Sequence, residues 1–276
     1  MRGARGTSRV AQRLVGSEVL LRRRTAAVGV LPPLGLVLVY RNRNAVTVEQ
    51  LLQQAGPQVR IALWALDEVA PALASLTVGQ GPGPRCALLN RCAELLGLPA
   101  DGWLVLADDD VTMVRGTLPD LLRVAIFAGL DVCQPTHASD STCSWEINEH
   151  HPMTLVRTSR FVETGPLVLM SPKARAACLP LPEAFAMGIG VEAVWGGRLE
   201  LRTALVDALT MRHLGRVGET YDLFAEWDRN EPLVRELLRP AGMETVRDLQ
   251  HVGHRWFPWR RHPLWMRSTP LAPGAG

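Results

Sequence analysis

The chain has few cysteines and a nearly balanced charge, and these two features exclude several classes of protein. Its 276 residues include five cysteines, an odd number, and no C-x-x-C pair is present. A disulfide framework or a structural zinc site is therefore not expected. A reducing compartment is expected instead. Thirty basic residues against 27 acidic ones leave a net charge of +3, which is too small to indicate nucleic-acid binding without a local patch.

A long uninterrupted apolar run is also absent. The longest apolar stretch, residues 25–40, has 16 residues and is interrupted by Pro32 and Pro33, whereas a membrane-spanning helix needs roughly 20 apolar residues. The N-terminus is basic, but the continuous apolar region of a signal peptide does not follow it. We therefore expect a cytoplasmic protein, with membrane association left open.

What the chain does contain is an ordinary globular composition, with 47% hydrophobic and 21% charged residues, which excludes a disordered, collagen-like or coiled-coil protein. In the first half, short apolar runs typical of strands alternate with segments whose apolar residues have helical spacing. This alternation predicts an α/β fold with a largely parallel sheet. Strands are predicted over residues 35–40, 60–66, 103–107, 132–135, 161–170 and 202–208. Helices are predicted over residues 47–54, with Thr47 as N-cap, and over 69–76, 85–96, 118–128, 173–178 and 191–195.

Composition divides the chain into three parts. Residues 1–30 are predicted to be a basic leader, residues 31–232 the α/β domain, and residues 233–276 a C-terminal helix with an aromatic and basic tail. The tail segment 254–267 mixes tryptophan with arginine, and three interpretations are open. We favour packing of its tryptophans on the core over contact with a membrane interface, and nucleic-acid stacking is the least favoured.

Three consecutive acids, Asp108, Asp109 and Asp110, follow the predicted strand 103–107 directly. Alternate side chains of an extended chain share a face, so Asp108 and Asp110 are expected to point together and Asp109 away from them. Two adjacent carboxylates favour a divalent cation such as Mg²⁺ or Mn²⁺, often shared with substrate phosphates. The competing interpretation is an acidic turn that caps the next helix.

A glycine-rich stretch, residues 79–84, precedes the helix predicted over 85–96. It matches neither G-x-x-x-x-G-K-[ST] nor G-x-G-x-x-G, so a P-loop and a dinucleotide fingerprint are not indicated. Its backbone N–H groups can still lie near an anion at the start of a helix.

Several further segments follow in a familiar order, from about residue 34 to residue 222. They are the strand 37–40, the glycine-rich stretch leading to Leu89-Asn90, Asp108-x-Asp110, Glu163-Thr-Gly165, the glycine-rich segment 188–195 with Glu192, and His213. In this order they resemble nucleotide-sugar-dependent glycosyltransferases of the GT-A fold, closer to their family-2-like inverting branch than to any single enzyme. A Q-x-x-R-W segment is missing, which disfavours the processive polysaccharide synthases.

The resemblance implies roles for particular residues. Asp108 and Asp110 would hold Mn²⁺ or Mg²⁺, with His213 as a third ligand or a phosphate contact, and Glu192 would be the general base. Residues implied to lie near the nucleotide-sugar donor are Tyr40, Arg41, Asn42, Asp67, Arg85, Asn90, Asp108 and Asp109. The fold implied is a Rossmann-like nucleotide-binding half with a mostly parallel sheet, followed by a less regular acceptor half.

The function implied is metal-assisted transfer of a sugar from a nucleotide-diphosphate sugar to an acceptor hydroxyl, lipid-linked or on a small molecule, by a hexosyltransferase-like enzyme. Peripheral membrane contact is allowed and a nucleic-acid partner is not expected. Glu192 could instead be a solvent-facing residue in the first turn of a helix, and His213 an ordinary surface or core histidine. A non-catalytic relative of the fold and a Mg-dependent nucleotidyltransferase stay open as alternatives.

Overall fold

Residues 17–215 and 222–268 are described by a computed structural model, and ten strands of this part form one sheet. The strands are β1 (Leu34–Tyr40), β2 (Val59–Ala65), β3 (Thr77–Gln80), β4 (Trp103–Ala107), β5 (Val111–Arg115), β6 (Val132–His137), β7 (Val156–Ser159), β8 (Leu167–Met170), β9 (Thr203–His213) and β10 (Val252–Trp256). Their order is β10-β7-β9-β6-β8-β4-β1-β2-β3, and β5 pairs with β9 outside this path.

Helices cover both faces of the sheet. They are α1 (Ser17–Arg24), α2 (Ala45–Ala55), α3 (Arg85–Leu96), α4 (Leu118–Ala128), α5 (Pro172–Cys178), α6 (Glu192–Gly196) and α7 (Leu223–Leu238). One core layer packs α2 and α4 against the sheet, and the other packs α3, α5, α6 and α7. Strands enclosed on both faces are continuous apolar runs rather than alternating ones, and every residue of β1 and β4 is buried.

The two halves of the sheet differ in strand direction. Strands β4, β1, β2 and β3 are neighbours and run parallel, which confirms the predicted α/β arrangement of the first half. In the second half β6 pairs with β9 in parallel, whereas β8 pairs antiparallel with both β4 and β6. Because β1, β2 and β4 are parallel, their carboxyl ends meet at one edge, the usual place of a ligand site in such sheets.

The predicted strands and helices agree with the structure where the local sequence signals are strong, and they disagree with it elsewhere. The strand over 103–107 and the helices over 85–96 and 118–128 are confirmed. Thr47 is wrong as an N-cap, because α2 begins at Ala45 after a short 3-10 turn. The strand predicted over 161–170 is confined to Leu167–Met170, and strands β3, β5, β7 and β10 were missed because each is short and partly polar.

The described parts of the predicted leader and of the predicted tail both contribute to the core. In the predicted leader, Leu21 of α1 is buried and Arg22 donates two hydrogen bonds to the Asp120 carboxylate. In the predicted tail, Trp256 and Trp265 are buried, and the Trp265 indole donates to the carbonyl of Ala128 over 2.8 Å. The structure thus supports the core-packing interpretation for two of the three tail tryptophans, whereas Trp259 is exposed.

Some parts of the predicted domain division lie outside the described residues, and one predicted boundary falls inside a helix. Residues 1–16 of the leader and 269–276 of the tail lie outside the described residues. Helix α7 crosses the predicted division between residues 232 and 233. Among the helices of residues 17–215 and 222–268, none combines the length and the apolar character needed to cross a bilayer.

Candidate active site

A cavity of about 690 Å³ opens at the carboxyl ends of β1, β2 and β4. The loop after β4 supplies three carboxylates to its wall, the loop after β1 supplies two arginines, and the end of β9 supplies a histidine. These residues are Arg41, Arg43, Asp108, Asp109, Asp110 and His213. The volume lies within the range of about 300–1,000 Å³ that is common for small-molecule sites.

Asp108, Asp110 and His213 form a cluster that could hold a metal ion, with one possible ligand atom of each lying within 4.8 Å of the others. The sheet creates this cluster, because β5 pairs with the end of β9 and places Val111 opposite His213. The imidazole Nε2 of His213 consequently lies 3.1 Å from Oδ1 of Asp110. Two carboxylates and one imidazole are a donor set that fits a divalent metal.

His213 and Asp110 shift each other's pKa. Burial lowers the pKa of His213, but the bond to Asp110 and the charges of both aspartates outweigh it, so the net pKa is raised. Burial raises the pKa of Asp110, and His213 more than offsets this, so that pKa is lowered. Because a ligating imidazole must be neutral, protonation of His213 would compete with metal binding here.

Arg85, the first residue of α3, pairs with Asp108 inside the cavity wall. Its Nη2 lies 2.6 Å from Oδ1 of Asp108, and its Nε donates to the same oxygen over 2.8 Å. Gly165 lies against this pair, and a Cβ at position 165 would force the Asp108 carboxylate to shift. The pair places the Arg85 guanidinium beside the cluster of Asp108, Asp110 and His213.

Asp109 and Asp67 hold the loop that follows β1. The Asp109 carboxylate accepts a hydrogen bond from the backbone N–H of Arg41 over 2.8 Å, and the Asp67 carboxylate accepts one from the backbone N–H of Asn42 over 2.7 Å. Burial raises the pKa of Asp109. These two acids therefore position the loop, and both also reach the cavity wall.

Glu192, the first residue of α6, is a buried carboxylate in the same cavity. Its Oε1 accepts hydrogen bonds from both the backbone N–H and the hydroxyl of Thr164, each over 3.0 Å. Burial raises its pKa. A carboxylate with one oxygen held and a raised pKa is suited to accept a proton from a hydroxyl.

Glu163 is a second carboxylate of the cavity wall. Its Oε2 accepts a hydrogen bond from the Asn148 amide over 2.7 Å and lies 3.8 Å from Nε2 of His137. Burial, with a contribution from Glu192, raises the pKa of Glu163 to about 8. At neutral pH this side chain is therefore mostly a neutral acid.

Part of the cavity wall was not predicted from the sequence. It consists of apolar and aromatic side chains from loops after β6 and α5 and from the start of α7, namely Trp145, Met187, Ile189, Leu223, Phe224 and Trp227. Tryptophan at helical spacing within a polar segment carries no local signal of a binding site, so only the assembled fold identifies these residues.

No protein-family model matches the chain, and no curated protein matches it. Solved structures do resemble it. TarS residues 1–349 from S. aureus, in complex with UDP-GlcNAc, matches with a TM-score of 0.54 and 10% identity over 74% of this chain and 66% of that chain. The mannosyltransferase PcManGT from Pyrobaculum calidifontis, in complex with GDP-Man and Mn²⁺, matches with a TM-score of 0.50 and 10% identity over 86% of this chain and 75% of that chain. The fold is that of the GT-A glycosyltransferases.

The chain spans just under two thirds of the TarS chain that it resembles. Its GT-A fold gathers most of the sequence-predicted site residues around one cavity: Arg41, Asp67, Arg85, Asp108, Asp109, Asp110, Glu192 and His213. Three others do not line that cavity. Tyr40 is fully buried with its hydroxyl bonded to Thr77, Asn42 contributes its backbone N–H to Asp67, and Asn90 bonds Leu181 on the far side of α3.

Proposed function

We propose that the chain is a glycosyltransferase that moves a sugar from a nucleotide-diphosphate sugar to an acceptor hydroxyl, with inversion and with the help of a divalent metal. One observation carries this proposal: the cluster of Asp108, Asp110 and His213 shares a single cavity with the buried base candidate Glu192. The GT-A fold supports it, since TarS is described with UDP-GlcNAc and PcManGT with GDP-Man and Mn²⁺.

The residues divide between two tasks. Asp108, Asp110 and His213 would hold Mn²⁺ or Mg²⁺, and a bound metal supplies neutralisation of the diphosphate leaving group. Arg85 adds a fixed positive charge at the same place. Glu192 takes the proton of the acceptor hydroxyl while the acceptor oxygen bonds to the anomeric carbon and the bond from that carbon to the diphosphate breaks.

A thermal-shift measurement with UDP and GDP, with and without Mn²⁺, tests the metal cluster. A ligand of the folded state at 100 times its Kd stabilises it by about 2.7 kcal/mol. Asp110→Asn is expected to remove most of the Mn²⁺-dependent part of this stabilisation, because it weakens one ligand and the partner of His213. Asp101→Asn is the matched control, since Asp101 is exposed before the start of β4. If a nucleotide diphosphate stabilises Asp110→Asn as well as wild type in Mn²⁺, the proposed metal role is wrong.

We also propose a peripheral membrane contact, at a surface that the fold assembles from both chain ends. Arg24 of α1 reaches the carbonyl of Pro258 over 3.5 Å, while Phe257 and Trp259 stack with ring centroids 4.7 Å apart. Trp259 is 64% exposed. This basic–aromatic face consists of Arg23, Arg24, Phe257, Trp259, Arg260 and Arg261. Exposed tryptophan beside arginine suits an anionic bilayer surface.

Co-sedimentation with vesicles of phosphatidylcholine and phosphatidylserine checks the basic–aromatic face. Wild type is expected to bind phosphatidylserine vesicles in low salt, and the triple change Trp259→Ala, Arg260→Ser and Arg261→Ser to reduce the partition coefficient at least tenfold, at about 1 kcal/mol per arginine near the surface. Equal binding of wild type and variant would remove this contact from the proposal, and so would wild-type binding to single-stranded RNA but not to vesicles.

A further inference from the structure

The aromatic part of the cavity wall has unused hydrogen-bond donors. Trp145 packs edge-on against Phe161 with centroids 5.3 Å apart, and its ring lies 6.5 Å from that of Trp227 on α7. Neither indole N–H has a hydrogen-bond partner among the described residues, whereas buried Trp195 donates to a backbone carbonyl over 2.9 Å. Trp145 and Trp227 are only half-buried, so their N–H groups are open to water or to a ligand. These two rings therefore offer an apolar face together with free donors.

The carboxyl groups of the cavity disfavour an anionic acceptor beside these rings. Glu163 and Glu192 line the same cavity, and Glu192, the proposed base, is ionised when it accepts a proton. Among the cations that line the cavity, Arg85 is paired with Asp108 and His213 lies beside Asp110, and we assign Arg41 and Arg43, on the loop after β1, to the donor. An anionic acceptor placed against Trp145 and Trp227 would add negative charge beside Glu192, which is unfavourable in a partly desolvated site.

We propose that the acceptor is an uncharged sugar ring, presented as a glycoside, whose apolar face packs on Trp145 and Trp227. This inference rests on the proposed function and names its acceptor class. Three features of the site match a pyranose: its C–H face contacts the aromatic rings, its ring or hydroxyl oxygens accept hydrogen bonds from the indole N–H groups, and one hydroxyl donates its proton to Glu192. A planar phenol would use the rings but offers a single oxygen to two indole N–H donors, and a sugar phosphate would add negative charge beside Glu192.

The test is a titration of methyl glycosides of neutral hexoses against the matching uronic acid and 6-phosphate derivatives, read by indole fluorescence with UDP and Mn²⁺ present. Neutral glycosides are expected to bind at least tenfold more tightly than their charged counterparts, a factor that corresponds to about 1.4 kcal/mol. Tighter binding of the charged derivatives, or of a phenol without a sugar, would overturn the proposal, as would failure of every neutral glycoside to bind.

Two variants of one residue keep the test independent of folding. Trp227→Leu is expected to weaken binding of the neutral glycosides about tenfold, and Trp227→Phe to weaken it less because it retains a ring. Arg235→Ala is the control on the same helix, since Arg235 is exposed and pairs with Glu231 away from the cavity. Unchanged glycoside affinity in Trp227→Leu contradicts the proposal.

A second measurement on the same proteins separates the acceptor class from the proposed function. Trp227→Leu is expected to bind UDP or GDP in Mn²⁺ with wild-type affinity, because the metal cluster and the loop after β1 are unaltered. Absence of nucleotide binding in wild type would overturn the glycosyltransferase proposal itself. Normal nucleotide binding without a preference for neutral glycosides would overturn only the acceptor proposal.

Discussion

Replacing Glu192 by glutamine is expected to lower kcat by about 10²–10⁴-fold, the usual contribution of a general base. The amide keeps the size of the side chain, and its carbonyl oxygen can still accept from Thr164, so the fold is retained while the proton acceptor is lost. Affinity for the nucleotide sugar is expected to stay near that of wild type, because the donor is assigned to the metal cluster and the loop after β1. Steady-state kinetics together with nucleotide binding by calorimetry separate the two effects.

Glu183→Gln is the matched control for this experiment. Glu183 is exposed on the short 3-10 helix before the glycine-rich segment 188–190, and it does not line the cavity. Near-normal turnover of Glu192→Gln would move the base elsewhere, with Glu163 the next candidate because it faces the same cavity. Asp140 is not a candidate, because it is paired with Arg212 on the surface and does not line the cavity.

The largest effect on stability is expected when a buried ion pair in the second half of the sheet is broken. Asp207 on β9 is fully buried and accepts two hydrogen bonds from Arg157 on β7, over 2.8 and 3.0 Å. Thr154 and the backbone N–H of His151 donate to the same carboxylate. Asp207→Asn leaves the Arg157 charge buried without compensation and is expected to lower the free energy of unfolding by about 3–5 kcal/mol.

Urea unfolding followed by circular dichroism measures this change through the shift of the midpoint at constant slope. The surface pair of Asp140 and Arg212 provides the control, since both side chains are more than a third exposed. Asp140→Asn is expected to cost about 0–1 kcal/mol, as is usual for exposed pairs. Similar losses in the two variants would contradict a special contribution from the buried pair.

The parts of the fold that could be predicted from the sequence are those with local causes. Strand β4 is five consecutive apolar residues, α3 ends at a glycine in the left-handed conformation, and α4 begins with Thr117 and Asp120 capping each other. The acids after β4 follow from the same reasoning, since a buried strand must deliver its next polar residues to an edge. Each of these signals is contained within about a dozen residues.

The rest depends on contacts between distant segments. The approach of His213 to Asp110 follows from the pairing of β5 with β9, which no short pattern predicts. The burial of Tyr40 follows from its bonds to Thr77 and Ala70 on the neighbouring segment. Every residue of β1 is buried, so whether its last side chain reaches the cavity depends on the neighbouring segments, and the predicted nucleotide contact of Tyr40 could not be assessed locally.

The position of strand β9 in the sheet affects how the chain folds while it is being synthesised. It lies between β6 and β7 and also pairs with β5, partners that lie far upstream in the chain. Until the ribosome has released residue 213, β6 and β5 lack their β9 partner and expose unsatisfied backbone edges of the kind that drive aggregation. The first, parallel half can assemble during translation, whereas completion of the cavity waits for a late, non-local closure, which is a slow step.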